Sequence, residues 1–209
     1  MPDGHTLLLF VGAGLLLNVT PGPDLLYILG RAIGQGRAAG VLSALGIGAG
    51  CLVHILAATL GLSAVLMALP LGYDLVRWAG AAYLVYIGVK ALRSKGGSLQ
   101  VSALAPESRR RVFLQGALTN VLNPKVALFF LALLPQFADP RRGPLAPQLL
   151  LLGTLFAVNG TLVCILFALF AGRLGEWLKT RYGVTRLLDR ATGGLFIALG
   201  LRLALLDRR

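Results

Sequence analysis

Long stretches without a single Asp, Glu, Lys or Arg alternate along this chain with short clusters of basic residues. Residues 4–23, 38–73 and 143–172 carry no such charge, and residues 112–138 carry one, Lys125, near the middle. Each exceeds the ~17 residues a helix needs to cross a bilayer. Two shorter stretches, 78–89 and 191–201, qualify only if Arg77, Lys90, Arg190 and Arg202 snorkel from their ends. The pattern predicts six membrane helices. A helix over residues 38–73 would rise about 54 Å, long for one upright crossing and short for two with a turn. One tilted helix ending near Pro70 is expected.

Composition agrees with an all-α, polytopic membrane protein. Hydrophobic residues make up 56% of the 209 and charged ones 13%, with a mean hydropathy of +0.78; soluble domains carry roughly 25% charge. The net charge of +12 would suggest nucleic acid in a soluble chain. Here the basic residues lie mostly between apolar runs, where they orient helices against an anionic leaflet, so no nucleic-acid partner is expected. Thirteen Lys and Arg, Arg31 among them, lie in the loops after spans one, three and five, and six lie on the other side. That bias puts both termini outside the cytoplasm and the basic segment 94–111, ending in Arg109, Arg110 and Arg111, inside it. This segment reads as a solvated loop that sets topology. Residues 1–5 lack the basic start and cleavage site of a signal peptide, so the first apolar run reads as a span.

The two halves repeat. Phe10 to Pro21 and Phe113 to Pro124 have equal spacing, and each leads into a proline-containing break. Ala81-Ala82-Tyr83-Leu84 with Gly88 and Lys90 parallels Gly193-Gly194-Leu195-Phe196 with Gly200 and Arg202. Three spans per half force the second copy to enter the membrane upside down, the inverted-repeat plan of secondary transporters. The expected units are a first three-helix repeat over 1–93, the basic loop over 94–111 and an inverted repeat over 112–209.

Chemistry is expected where membrane rules are broken. Seven of eight acidic residues lie in predicted loops or at span ends; Asp24 alone falls inside an apolar run, in Thr20-Pro21-Gly22-Pro23-Asp24. Lys125 is its basic counterpart, in Asn123-Pro124-Lys125. On insertion scales each costs roughly 2.5 to 3.5 kcal/mol at the bilayer centre. The prolines and Gly22 should break the first span near Thr20 and restart it near Pro23, and Asn123 with Pro124 should cap and start a half-helix in the fourth. Unwound backbone at that depth must face protein or a wet cavity, so both breaks should point at each other. Asp24 in a first helical turn complements the dipole there, whereas Lys125 opposes it and needs another reason. That reason is an anion site made with the free N–H groups of its half-helix. A carboxylate facing an ammonium suits a small zwitterion such as an amino acid. The competing reading is a permanent Asp24–Lys125 salt bridge that only ties the helices together.

With these two motifs and a glycine-rich second span holding Gly46, Gly50 and His54, the chain resembles the LysE/RhtB family of amino-acid exporters, in its homoserine, threonine and leucine branch. The likeness covers nearly the whole chain. It implies export of amino acids or their derivatives across the bacterial cytoplasmic membrane, driven by the proton gradient, by a homodimer without a cofactor. It also places Asp24, Asn123, Pro124 and Lys125 at the functional centre. In the mechanism this suggests, Asp24 trades the substrate ammonium for a proton while Lys125 and its half-helix hold the carboxylate.

Thr20 and Asn120 are further candidates for substrate contact, and His54, mid-span, for a proton relay with Asp24. Asn18, Thr119 and Asn159 line a cavity or bond between helices. Gly36, Gly40, Gly46 and Gly50 have the spacing that lets helices approach closely, and Trp78, Tyr83 and Tyr86 suit an interface or a cavity wall. Cys51 and Cys164 read as packing residues. Neither a clustered metal-ligand set nor a paired nucleophile and base is visible, so an enzyme is not expected. A metal-ion or other small-solute efflux carrier of the same architecture is the alternative.

Overall fold

A computed structural model describes residues 2–62, 78, 81–82, 84–86, 88–93, 103–172 and 182–205. Among these, every regular element is a helix. Tyr83, Lys95, Pro70 and the expected end of the second span lie outside the described residues.

Helix α1 spans Gly4–Val19, its N-terminus capped by the Asp3 carboxylate, which accepts the Thr6 N–H at 2.7 Å. It stops because Thr20 precedes Pro21: a residue before proline is driven out of the helical region, and Thr20 sits at φ −66°, ψ 130°. Gly22 precedes Pro23 and is extended too; helix α2 then runs Pro23–Gln35. The pair bends by 52°. Helix α3 covers Arg37–Leu56 and widens into a π-helical stretch over Ala57–Leu62, where the description of this span stops.

The second break repeats the first. Helix α4, Arg109–Val121, ends ahead of Asn123, and helix α5 starts at Pro124 with the Asn123 side chain accepting the Lys125 N–H at 3.0 Å. Helix α5 is short, Pro124–Leu128, and continues through a π-helical stretch, Phe129–Leu133, and a 3₁₀ turn, Leu134–Phe137. This pair bends by 45°. Helix α6, Leu145–Leu169, is unbroken, and helix α7 runs Tyr182–Leu205. The last helix therefore starts well before the charge-free stretch 191–201, taking in Arg186 and Arg190.

Arg37–Gly61 and Leu145–Leu169 are each long and apolar enough to cross a membrane, and each bent pair qualifies when taken as one span. Leu8, Leu52, Leu118, Leu162 and Leu201 point outward, the composition a lipid-facing surface requires. Inside, Phe10, Phe129, Phe130 and Phe156 form the aromatic centre of the core, Phe129 stacking on Phe156 at 4.3 Å.

Helix α3 lies against α4 through glycine. A Cβ on Gly46 would strike the Phe113 carbonyl, and one on Gly50 the Ala117 carbonyl; on Gly116 it would lie 2.7 Å from the Ser43 carbonyl. The backbones meet because those side chains are missing. The paralleled ends of the halves also meet: a Cβ on Gly88 would lie 2.7 Å from the Gly193 carbonyl, and one on Gly200 2.9 Å from the Ala81 carbonyl.

Candidate functional site

At the first break the last carbonyls of α1 run short of donors: the Thr20 N–H is shared between those of Leu16 and Leu17, at 3.1 and 3.2 Å. The Leu16 carbonyl takes the Thr20 hydroxyl at 2.6 Å. The Leu17 and Thr20 carbonyls take the Lys125 ammonium, at 3.1 and 2.9 Å, from the other half of the chain. A cation at the C-terminal end of α1 meets the negative end of the helix dipole. This removes the puzzle of a lysine in the first turn of α5: its Cα belongs to that turn, but its charge is delivered to another helix. Gly22 makes room, since a Cβ there would stand 3.1 Å from Nζ and 3.3 Å from Cε.

Asp24 sits in the first turn of α2, whose N-cap, Gly22, offers no side-chain bond. Its Oδ2 accepts the Asn120 side-chain N–H at 2.8 Å. Since a carboxylate cannot donate to an amide oxygen, this fixes which end of Asn120 is nitrogen. The bond to the Lys125 N–H fixes Asn123 in the same way. Asn120 and Asn123 are almost fully buried. Four buried polar atoms here make no hydrogen bond within the protein: the acceptors Asp24 Oδ1 and Asn120 Oδ1, and the Nδ2 groups of Asn18 and Asn123. Leaving such groups unpaired costs on the order of 1–3 kcal/mol each, so their concentration at one place calls for an explanation.

Asp24 and Lys125 form no ion pair with each other. The permanent salt bridge considered from the sequence is absent because the lysine is held at the carbonyls of α1. The half-helix N–H of Lys125 is likewise spent on Asn123, so it does not line up with the ammonium as the sequence suggested. Two of three ammonium protons are engaged, which leaves one.

Both charges line one cavity, with Asn18, Thr20 and Asn120 beside them and Cys51, Phe156, Thr161 and Cys164 across it. About 30 Å³ of it is open to the centres of water molecules. Gly48 and Gly160 keep it open, a Cβ on the latter lying 3.2 Å from the Asn18 amide.

His54 does not reach Asp24. Its Nε2 lies 3.1 Å from the Asn120 carbonyl, and its ring stacks on Phe130 at 5.6 Å. A carbonyl only accepts, so Nε2 is the protonated nitrogen. Thr119 bonds back to the Gln115 carbonyl at 2.7 Å and Asn159 lies outside the cavity wall. The sequence reading passed over Phe156, Gly160 and Thr161 and treated both cysteines as packing only. A Gly-Thr pair beside Asn159 in an apolar helix was the available signal. Among the described residues, no three His, Cys, Asp or Glu side chains gather as a metal site would need.

The sequence profile described as "LysE type translocator" matches residues 15–207. A Homoserine/homoserine lactone efflux protein of Salmonella typhimurium is 33% identical over 190 residues, 90% of this chain and 91% of that protein. A Leucine efflux protein of an Enterobacter species is 28% identical over 199 residues, 93% of each chain. An uncharacterized membrane protein of Vibrio cholerae is 27% identical over 202 residues, 97% of this chain and 98% of that one. No solved structure matches.

Proposed function

The chain belongs to the LysE-type translocators, and from that premise we propose that it exports amino acids or their derivatives from the bacterial cytoplasm by exchange for protons. The relatives named for homoserine, homoserine lactone and leucine efflux support the cargo class. The observation that carries the assignment to this site is the group of unpaired buried atoms beside Asp24. Two acceptors, Asp24 Oδ1 and Asn120 Oδ1, suit an ammonium. Asn18 Nδ2 and the third proton of Lys125 suit a carboxylate or carbonyl, while Asn123 stands behind the cavity wall as the cap of α5. A small dipolar solute would satisfy both sets at once, offsetting the cost of keeping them buried.

In this reading Asp24 binds the substrate amine when ionised and releases it on taking a proton from outside. Lys125 keeps the broken first span in shape while presenting its remaining proton to the cargo. Thr20, with Pro21, Gly22, Pro23 and Pro124, supplies the geometry of the breaks. Six spans in two inverted halves, both termini outside the cytoplasm, and a homodimer complete the proposed architecture. The protein carries solute rather than transforming it, and needs no cofactor.

Proteoliposomes preloaded with labelled homoserine, homoserine lactone or leucine test this. Release should accelerate when an inward proton gradient is imposed across the membrane, and unlabelled cargo should compete. Release that ignores both the gradient and competitors would refute the reading.

A further inference from the structure

The sequence treats Arg31 as a loop charge, yet it lies inside α2 and is only 4% exposed. Its guanidinium donates to the Ala105 carbonyl at 2.6 Å, to Gln115 Oε1 at 2.6 Å and to the Tyr27 hydroxyl at 3.3 Å. It is the centre of a longer seam. Residues 103–108, a strap without regular structure that leads into α4, run along the second half of α2. The Leu104 N–H donates to the Gly30 carbonyl at 3.1 Å. The Gln35 side chain holds both backbone groups of Glu107, donating to its carbonyl at 2.6 Å and accepting its N–H at 3.0 Å. Gly34 is where the two backbones touch, for a Cβ there would collide with the Leu104 carbonyl and lie 2.8 Å from its N–H. One turn or so nearer the cavity, Tyr27 donates to the Val112 carbonyl at 2.8 Å, and then Asn120 reaches Asp24.

A row of contacts thus joins α2 of the first half to the strap and α4 of the second, from the cavity outward. Its outer part is unlike the apolar packing elsewhere: it is held by polar side chains on backbone groups, a set that can exchange its partners for water once parted. The cavity that holds Asp24 and Asn120 lies at the inner end of this row. Two halves that move against each other must part somewhere along this row.

We propose that residues 103–108 are the inner gate of the transport path, latched to α2 by Arg31 and Gln35, and that the site reaches the strap side only when this latch opens. The inference rests on the export reading for its meaning but is tested without transport. The native Cys51 and Cys164 line the cavity and are buried, so they report its opening. A charged, membrane-impermeant thiol reagent is applied to vesicles of either orientation carrying wild type, Arg31→Ala, or Gly34→Leu, which forces the strap off by bulk. Labelling of the two cysteines from the strap side should rise by roughly tenfold or more, the factor expected when a charge-assisted hydrogen bond is lost from one of two states. Labelling from the opposite side should not rise. Unchanged labelling, or an equal rise from both sides, overturns the gate.

A locking variant gives the converse. Gln35→Cys with Glu107→Cys, joined by a short bis-methanethiosulfonate, should slow labelling from the strap side relative to either single variant treated alike, and reduction should restore it. If the joined protein labels as fast as the single variants, the strap is not the barrier. If the labelling behaves as expected but no amino acid is exported by wild type, the gate stands and the export reading falls.

Discussion

Lys125 Nζ donates to the Thr20 carbonyl at 2.9 Å across 105 positions of sequence, so one half of the chain completes a helix end in the other. Hydrogen bonds to a charged group are worth about 1.5–3 kcal/mol each. Lys125→Met should therefore lower thermal stability in detergent and abolish export. Gly22→Val should do nearly the same by displacing the ammonium with a side chain placed 3.1 Å from it or closer. The double variant should be little worse than either single one, because both remove the same contact. Additive losses of melting temperature would show that the two act separately.

Asp24 has one oxygen committed to Asn120 and one unpaired. Asp24→Asn keeps the shape but removes both the charge and the exchangeable proton. Truncating a charged partner at a binding site costs on the order of 2 kcal/mol or more, roughly a 30-fold loss of affinity. Any residual export should no longer respond to an imposed pH gradient, because an amide does not titrate in this range. Counterflow measured with and without that gradient separates the two effects.

The breaks were legible because the rules behind them are local. Proline excludes the preceding residue from a helix, and Thr20, Gly22 and Asn123 all precede one. The lone charges were legible too, since a bilayer makes them expensive. Where the charges point was not: Lys125 belongs to one helix and serves another, and no spacing encodes a side chain that crosses between halves. Arg31 was misread for a related reason. Charge counting places an arginine at a span end, and only the tertiary fold supplies the carbonyl and amide that let it be buried. The cavity wall at Phe156 and Thr161 depends on how α6 packs, which the uniformly apolar sequence of that helix leaves open.

Close backbone approach between α3 and α4 makes Gly46 and Gly50 intolerant of bulk. Overpacking costs typically about 1–3 kcal/mol, so Gly46→Leu and Gly50→Leu should each reduce melting temperature by several degrees and lower yield. Gly12→Ala, where a Cβ meets nothing within 4 Å, should be neutral or mildly stabilising, since alanine is the better helix former. Thermal unfolding of the three purified variants checks the contrast.

Outside the spans, Asp3 and Asp139 meet at Arg142, 2.8 and 3.6 Å away. The Thr6 N–H holds the Asp3 carboxyl below its ordinary value of 3.8, and the Arg141 N–H does so for Asp139. Groups whose folded pKa is depressed stabilise above the unfolded value and lose that effect as pH falls through the folded one. The tie between the N-terminus and this loop should thus hold at pH 5 and weaken below 3.8. Asp3→Asn with Asp139→Asn should flatten that part of the stability profile, read as melting temperature from pH 5 to 3.

His54 meets the backbone carbonyl of Asn120, the residue whose side chain holds Asp24. That carbonyl also accepts the Asn123 N–H at 2.9 Å, so it sits at the bend between α4 and α5 with two donors fixing it. The imidazole is therefore placed to orient Asn120, and the relay that a mid-span histidine suggests has no direct bond to run through. His54→Gln keeps a donor at similar reach and should retain most export with an unshifted pH profile. His54→Phe keeps the stacking on Phe130 but leaves the carbonyl with the Asn123 N–H alone, a loss of about 0.5–1.5 kcal/mol, and should impair binding more than it alters pH dependence. The decisive measurement is the pH profile of proton-driven export in both variants. A profile displaced in His54→Gln would return the proton path to the imidazole, whereas one that stays in register leaves Asp24 as the group that exchanges cargo for protons.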